Sequence, residues 1–278
     1  MVLLQLRLKI QKVFLISVVT LGATFILFPL IWMFLTSFKT APEVLRVPLA
    51  FFPDNFFNFE NYKNVLEQQP FLRFILNSML ISGLSLVVSL ILCSMAGYGF
   101  SKFTFWGKEI LFFLILSFLI VPFQSVVVPL FNWVARLNLI DTFIGLSLPL
   151  LTSAFGVFFM RQAMDGVPKD YIEAARIDGC SEIGIFFRVV LPMVKPALST
   201  LAIIKFMMSW NEFLWPLVST NSTKMKVVTV GLYSYTNMYF TEYHLVTAAA
   251  VFSLIPTLLI FITFQKGIIR SVALSGIK

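Results

Sequence analysis

The residues able to do chemistry in this chain are few, and most fall in one stretch. Ser209-Trp210-Asn211-Glu212-Phe213-Leu214-Trp215 sets two indoles beside a carboxamide and a carboxylate. Such a set can hold a sugar, with the apolar C–H faces stacked on indole and the hydroxyls taken by Asn211 and Glu212. It equally suits an aromatic belt at a membrane–water interface, where Trp is enriched. Lys205 lies seven residues before Glu212. Together they would make an ion- or proton-handling pair of a gradient-driven carrier or channel. On a helix, however, seven residues separate them by about 10 Å along one face, too far for a tight pair unless the side chains bend together. Catalysis finds no footing. The sole histidine, His244, has no ligand partners at metal-binding spacing, and Cys93 and Cys180 fit neither a disulfide framework nor a zinc site. The only Gly-Lys pair, Gly107-Lys108, is followed by Glu109 and lacks the earlier glycine of a phosphate loop. No catalytic residue, no metal site and no nucleotide-binding loop is therefore expected.

The composition says what kind of scaffold positions these groups. Hydrophobic residues make up 59% of the 278 and charged residues 12%, too little charge to cover a soluble surface. An all-α integral membrane protein is expected, a single transmembrane domain over 1–278 with about six transmembrane helices. The spans fall near 13–35, 74–101, 110–135, 142–160, 196–220 and 245–265, with a charged connector at 161–195 between the fourth and fifth. Val13–Leu35 is an uncharged run of 23 residues preceded by Arg7, Lys9 and Lys12, long enough to cross hydrocarbon of roughly 30 Å. It has no convincing small-residue cleavage site and is read as a retained anchor. Pro29, Pro122, Pro129, Pro149 and Pro256 lie inside spans and should kink them where helices pack. Counted on alternate sides, thirteen Lys and Arg fall with the termini and the connector, against seven on the other side. Both termini and the connector are therefore expected to be cytoplasmic. The same bias accounts for the net charge of +8 without a nucleic-acid partner.

Lys205 lies ten residues beyond Lys195, about 15 Å into the fifth span and close to the midplane. A lysine there costs roughly 2.5–3.5 kcal/mol on insertion scales. It should face a wet cavity or a partner. Either it hydrogen-bonds substrate on a pathway, or it pairs with an acid or carbonyl of a partner chain.

The connector is the most informative segment. From Pro168 the residues suit a helix that Gly179 would end, and Ser181 can cap a second short helix ending near Leu191-Pro192. Ile172, Ala175 and Gly179 share a face, with side chains small enough at Ala175 and Gly179 for another surface to approach. By itself this pattern is also that of an ordinary amphipathic surface helix.

The string Glu173-Ala174-Ala175-Arg176-Ile177-Asp178-Gly179, followed by Leu191-Pro192 and Pro196, resembles the EAA loop of binding-protein-dependent ABC importer permeases. Ser209–Leu217 resembles a region of the carbohydrate-uptake branch, in which a smaller permease pairs with a larger one, as in maltose uptake. The resemblance implies a coupling helix that docks on a cytoplasmic ATPase through Glu173, Ala174, Ala175, Asp178 and Gly179. It implies a substrate pathway near Lys205, Trp210, Asn211, Glu212 and Trp215, although in the maltose case the larger partner holds the sugar. The implied partners are a second homologous permease, two ATPase subunits carrying the ATP and Mg that this chain lacks, an extracytoplasmic solute-binding protein and membrane lipid. The implied location is a bacterial-type inner (plasma) membrane. The tail, Gly267–Lys278, is implied to reach the ATPases as well.

Overall fold

The computed structural model describes residues 2–236 and 241–275, with the side chains of residues 2–6, 8 and 266–275 excepted. Among the described residues the secondary structure is helical, with no strand beyond an isolated bridge between Thr236 and Thr241. In chain order the α-helices are α1 (Val2–Thr36), α2 (Ala41–Val44), α3 (Glu60–Gln68), α4 (Phe71–Lys102), α5 (Lys108–Ser117), α6 (Phe123–Arg136), α7 (Phe143–Ser147), α8 (Ala154–Asp165), α9 (Lys169–Ile177), α10 (Glu182–Ile185), α11 (Leu191–Met193), α12 (Lys195–Trp210), α13 (Leu214–Ser219), α14 (Val228–Tyr233) and α15 (Tyr243–Ser275).

Three stretches are long and apolar enough to cross a bilayer alone: Lys9–Thr36, Phe71–Lys102 and Tyr243–Gln265. Two bent pairs raise the number to five, Phe143–Leu150 with Ala154–Asp165 at 49° and Glu182–Met193 with Lys195–Trp210 at 82°. The stretch expected to cross at 110–135 instead divides at 118–122 into helices of 10 and 14 residues. Its break coincides with Pro122, whose ring disfavours a helical residue before it and which has no N–H to donate. Pro29, Pro129 and Pro256, by contrast, sit inside unbroken helices.

Contacts divide the chain into two units, Met1–Gln69 with Leu232–Leu254 and Pro70–Gly231 with Ile255–Lys278. In the first, α1 is exposed along its apolar length, as a helix facing lipid would be. The loop after it is ordered around a buried lysine. The Lys39 ammonium donates to the Ala50 carbonyl at 2.5 Å and sits 4.4 Å from the Trp32 ring centroid. Burial makes its proton easier to lose, and the nearby Glu43 carboxylate opposes that. Asn61 donates to the Ser37 and Lys39 carbonyls, both at 2.8 Å. A tether from the Tyr235 hydroxyl to the Val65 carbonyl, 3.2 Å, brings the later segment of this unit onto α3.

In the second unit α4 is the central helix, packed against α7, α8 and α12. Its approach to α8 requires Gly97, because a Cβ there would lie 2.7 Å from the Met160 Cβ and 2.9 Å from the Arg161 nitrogen. Small residues at such crossings let helix backbones come close where water provides no driving force between helices.

Candidate functional site

The connector folds as two short helices joined by a glycine turn. Its first helix, α9, follows Pro168, whose extended backbone (φ −59°, ψ 138°) sets the helix entry. Ile172 and Ala175 turn inward, joining Tyr98, Met160, Met164, Val167, Ile185 and Phe186 in one apolar cluster. The opposite face is free: Lys169, Asp170, Tyr171, Glu173, Ala174, Ile177 and Asp178 are all exposed. Gly179 ends the helix with φ +79°. Its N–H reaches the Arg176 carbonyl at 3.1 Å, and that of Cys180 reaches Ala175 at 3.0 Å. This is the paired hydrogen bonding of a Schellman turn, which glycine allows because it has no Cβ. Ser181 then caps the next helix, accepting from the Gly184 N–H at 3.2 Å. That helix runs through a π-helical turn at Phe186–Val190 to Met193.

Of the five expected coupling residues, Glu173, Ala174, Asp178 and Gly179 stand exposed, whereas Ala175 is only 9% exposed and packs within this chain. The face shared by Ile172 and Ala175 is thus turned inward rather than offered to another surface. Several groups that hold the connector carry no sequence signal beyond their polarity. The Lys102 ammonium donates to the Val167 carbonyl at 2.7 Å, and the Ser101 hydroxyl donates to Asp165 at 2.7 Å. Arg161 pairs with Glu109 at 3.0 Å while its guanidinium carbon lies 4.0 Å from the Phe112 ring centroid. Only the Arg161–Asp165 spacing, four apart on a helix, could have been read in advance.

The second set of candidates is arranged otherwise than the sequence suggests. Lys205 is 4% exposed, and its ammonium donates at 3.3 Å to the Thr152 carbonyl. Thr152 lies in the break between Leu150 and Ala154, outside either helix, where a carbonyl must find a partner from elsewhere. The lysine therefore has a partner within its own chain, where a wet cavity or another subunit was expected. Cys93 reaches the adjacent Ser153 carbonyl at 3.5 Å. The span expected at 196–220 stops at Trp210, so Glu212 is off the helix and out of register with Lys205. Its carboxylate accepts from the Trp215 N–H at 3.2 Å, capping α13. Trp215 is 0% exposed with its indole N–H donating to the Gly145 carbonyl at 3.1 Å. Trp210 is buried and stacked on Phe206, ring centroids 5.6 Å apart. Neither indole offers a free face to a sugar; Asn211 alone of the set is exposed. The tail from Gly267 to Lys278 lies outside the residues whose side chains are described.

Comparison with known proteins gives this geometry its context. Residues 89–274 match the family described as the binding-protein-dependent transport system inner membrane component. The chain is 37% identical over 254 residues to the arabinooligosaccharides transport system permease protein AraQ of Bacillus subtilis (strain 168), covering 91% of this chain and 90% of that one. It is 31% identical to the lactose transport system permease protein LacG of Rhizobium radiobacter, covering 95% and 96%. In fold it is similar to a chain of a bacterial ABC transporter involved in the import of the acidic polysaccharide alginate, with a TM-score of 0.79, 24% identity, and coverage of 93% of this chain and 96% of that one. The chain belongs to the binding-protein-dependent transport system inner membrane components, and it is a membrane-spanning permease subunit rather than an enzyme.

Proposed function

We propose that this permease passes a sugar or sugar-like solute across an inner membrane, driven by ATP hydrolysed on separate subunits that dock on the connector. The single observation that carries the coupling half is the exposed face of α9, where Glu173, Ala174 and Asp178 project from a helix fixed by its buried face and by the Gly179 turn. A knob transmits motion only if its other side is tightly held, and Ile172 and Ala175 hold it. The solute class rests on the relatives, whose names give arabinooligosaccharides and lactose.

The full assembly on this reading has a second homologous permease, two ATPase subunits that bind ATP and Mg, and an extracytoplasmic binding protein that delivers the solute. Both termini and the connector face the cytoplasm. Six crossings follow if α5 and α6 together make one span, the bent pair Phe143–Leu150 with Ala154–Asp165 makes another, and α12 crosses without Glu182–Met193, which stays with the connector. The gradient-driven alternative loses its motor, because Lys205 is bonded to Thr152 and Glu212 caps α13.

Purification through a tag on this chain tests the reading. ATPase subunits should accompany it in fixed ratio, vesicle uptake should require ATP, and Glu173→Lys should reduce the amount of bound ATPase. In a background lacking Cys93 and Cys180, cysteines near Asn55 and Asn221 should label from outside, and those near Lys169 only from the cytoplasm. Uptake that persists without ATP, or outside labelling near Lys169, overturns it.

A further inference from the structure

The exposed face of α9 explains where a push could arrive but not which span would receive it. Gly179 separates α9 from the helix that leads into α12, and a glycine turn alone would let α9 pivot. Three side chains close that joint. Arg176, on α9, donates from Nε at 2.8 Å and from Nη2 at 2.5 Å, both to Oε1 of Glu182 across the turn. The other oxygen of the same carboxylate, Oε2, accepts from the Tyr98 hydroxyl at 3.3 Å. Tyr98 is a buried residue of the last turns of α4, its ring packed 5.4 Å from Phe103 and 5.3 Å from Phe186 between centroids. Both oxygens of Glu182 are thus engaged, one by the connector helix and one by a long span.

The far end of that span is tied as firmly. The Asn77 carboxamide donates to the Lys224 carbonyl at 2.9 Å and to the Lys226 carbonyl at 2.8 Å, and Ser78 accepts from the Val228 N–H at 2.8 Å. Between Tyr98 and Asn77 the helix is uninterrupted, about 30 Å of rigid rod at 1.5 Å per residue. An exposed ion pair contributes little stability by itself. Its effect here is to fix direction.

We propose that Arg176, Glu182 and Tyr98 form a latch that joins the docking helix α9 to α4, so that α4 carries the connector's displacement to the segment at 224–228 on the opposite side of this unit. Arg176, Glu182 and Tyr98 are positioning residues, and the inference rests on the coupling reading above. A displaced α9 drags the Glu182 carboxylate, and the carboxylate drags the buried tyrosine, whose ring is packed against Phe103 and Phe186 and so moves with α4.

The test uses the complete transporter, with its ATPases, in sealed vesicles, and reads solute imported per ATP hydrolysed. Glu182→Gln, which removes the charge and keeps the shape, should lower that ratio about tenfold at normal complex yield, within the range by which residues along a coupling network act. Tyr98→Phe, which deletes one hydroxyl from a ring that stays packed, should lower it about threefold. The exchange of Arg176→Glu with Glu182→Arg should regain part of the ratio lost by either single change, the signature of direct interaction. A purely structural role would lower yield or thermal midpoint and leave the ratio unchanged, and that result for Tyr98→Phe overturns the latch even if Glu182→Gln fails to assemble. Uptake by the unaltered transporter without ATP would strike down the coupling reading itself, a result separate from any change in ratio among the variants.

Discussion

The connector at 161–195 and the stretch from Lys205 to Trp215 both looked like working parts, and they use their residues in opposite ways. In the connector, the apolar side of α9 is spent on the chain's own core and the polar side is left free. In the second stretch the aromatic groups are turned inward, Trp215 with its indole N–H on the Gly145 carbonyl, and the charged ones serve the backbone: Lys205 donates to the Thr152 carbonyl and Glu212 caps a helix. The difference is one of position on the scaffold. A group beside a helix break in an apolar interior meets unpaired N–H and C=O groups whose cost it can remove, and that use outcompetes display to solvent or substrate. A group on a helix with one face already packed meets no such demand.

That contrast can be broken at its strongest point first. Gly179→Leu places a side chain where φ is +79°, at a cost of about 1–2 kcal/mol, and so disfavours the turn that aims α9. Uptake should be lost while the chain inserts normally, as read by transport assays beside membrane fractionation; wild-type uptake would mean that the connector tolerates reorientation and does not couple. Trp215→Ala should act on stability, by about 3–5 kcal/mol as for other buried aromatic truncations. The thermal midpoint of the solubilised transporter would fall, whereas Asn211→Ala, at an exposed position, should leave it unchanged. A raised half-saturation for solute with an unaltered midpoint would return Trp215 to the substrate pathway. Lys205→Met should have the smallest effect. It strands the Thr152 carbonyl, at about 1–3 kcal/mol, but it also relieves the burial of a charge. A modestly lower midpoint with unchanged half-saturation is expected, and the reverse pattern would restore the pathway role.

Much of the fold was legible because lipid imposes a simple rule, that a crossing segment must be apolar and satisfy its own backbone. The spans read at 13–35, 74–101 and 245–265 lie within the helices Val2–Thr36, Phe71–Lys102 and Tyr243–Ser275. The breaks were not legible. No charge interrupts 118–122 or 151–153, and hydropathy reports burial in lipid rather than continuity of hydrogen bonding. Proline does not settle the matter, since Pro122 and Pro149 lie at breaks while Pro29, Pro129 and Pro256 do not.

The same division runs through the candidate site. The order of Pro168, Glu173, Gly179 and Ser181 determined a helix, a left-handed turn and a capped second helix, because caps and glycine turns act within a few residues and need no distant partner. It also carried the resemblance to the family, since the EAA-like string and its spacing to Leu191-Pro192 are linear features. Which way Ala175 faces, that Lys205 answers Thr152 across 53 positions of sequence, and that Glu182 meets Tyr98 across 84 were decided only by tertiary structure. Those contacts depend on which helices lie side by side, and the packing of α4 against α8 and α12 is set by the sum of many small contacts that no local spacing records.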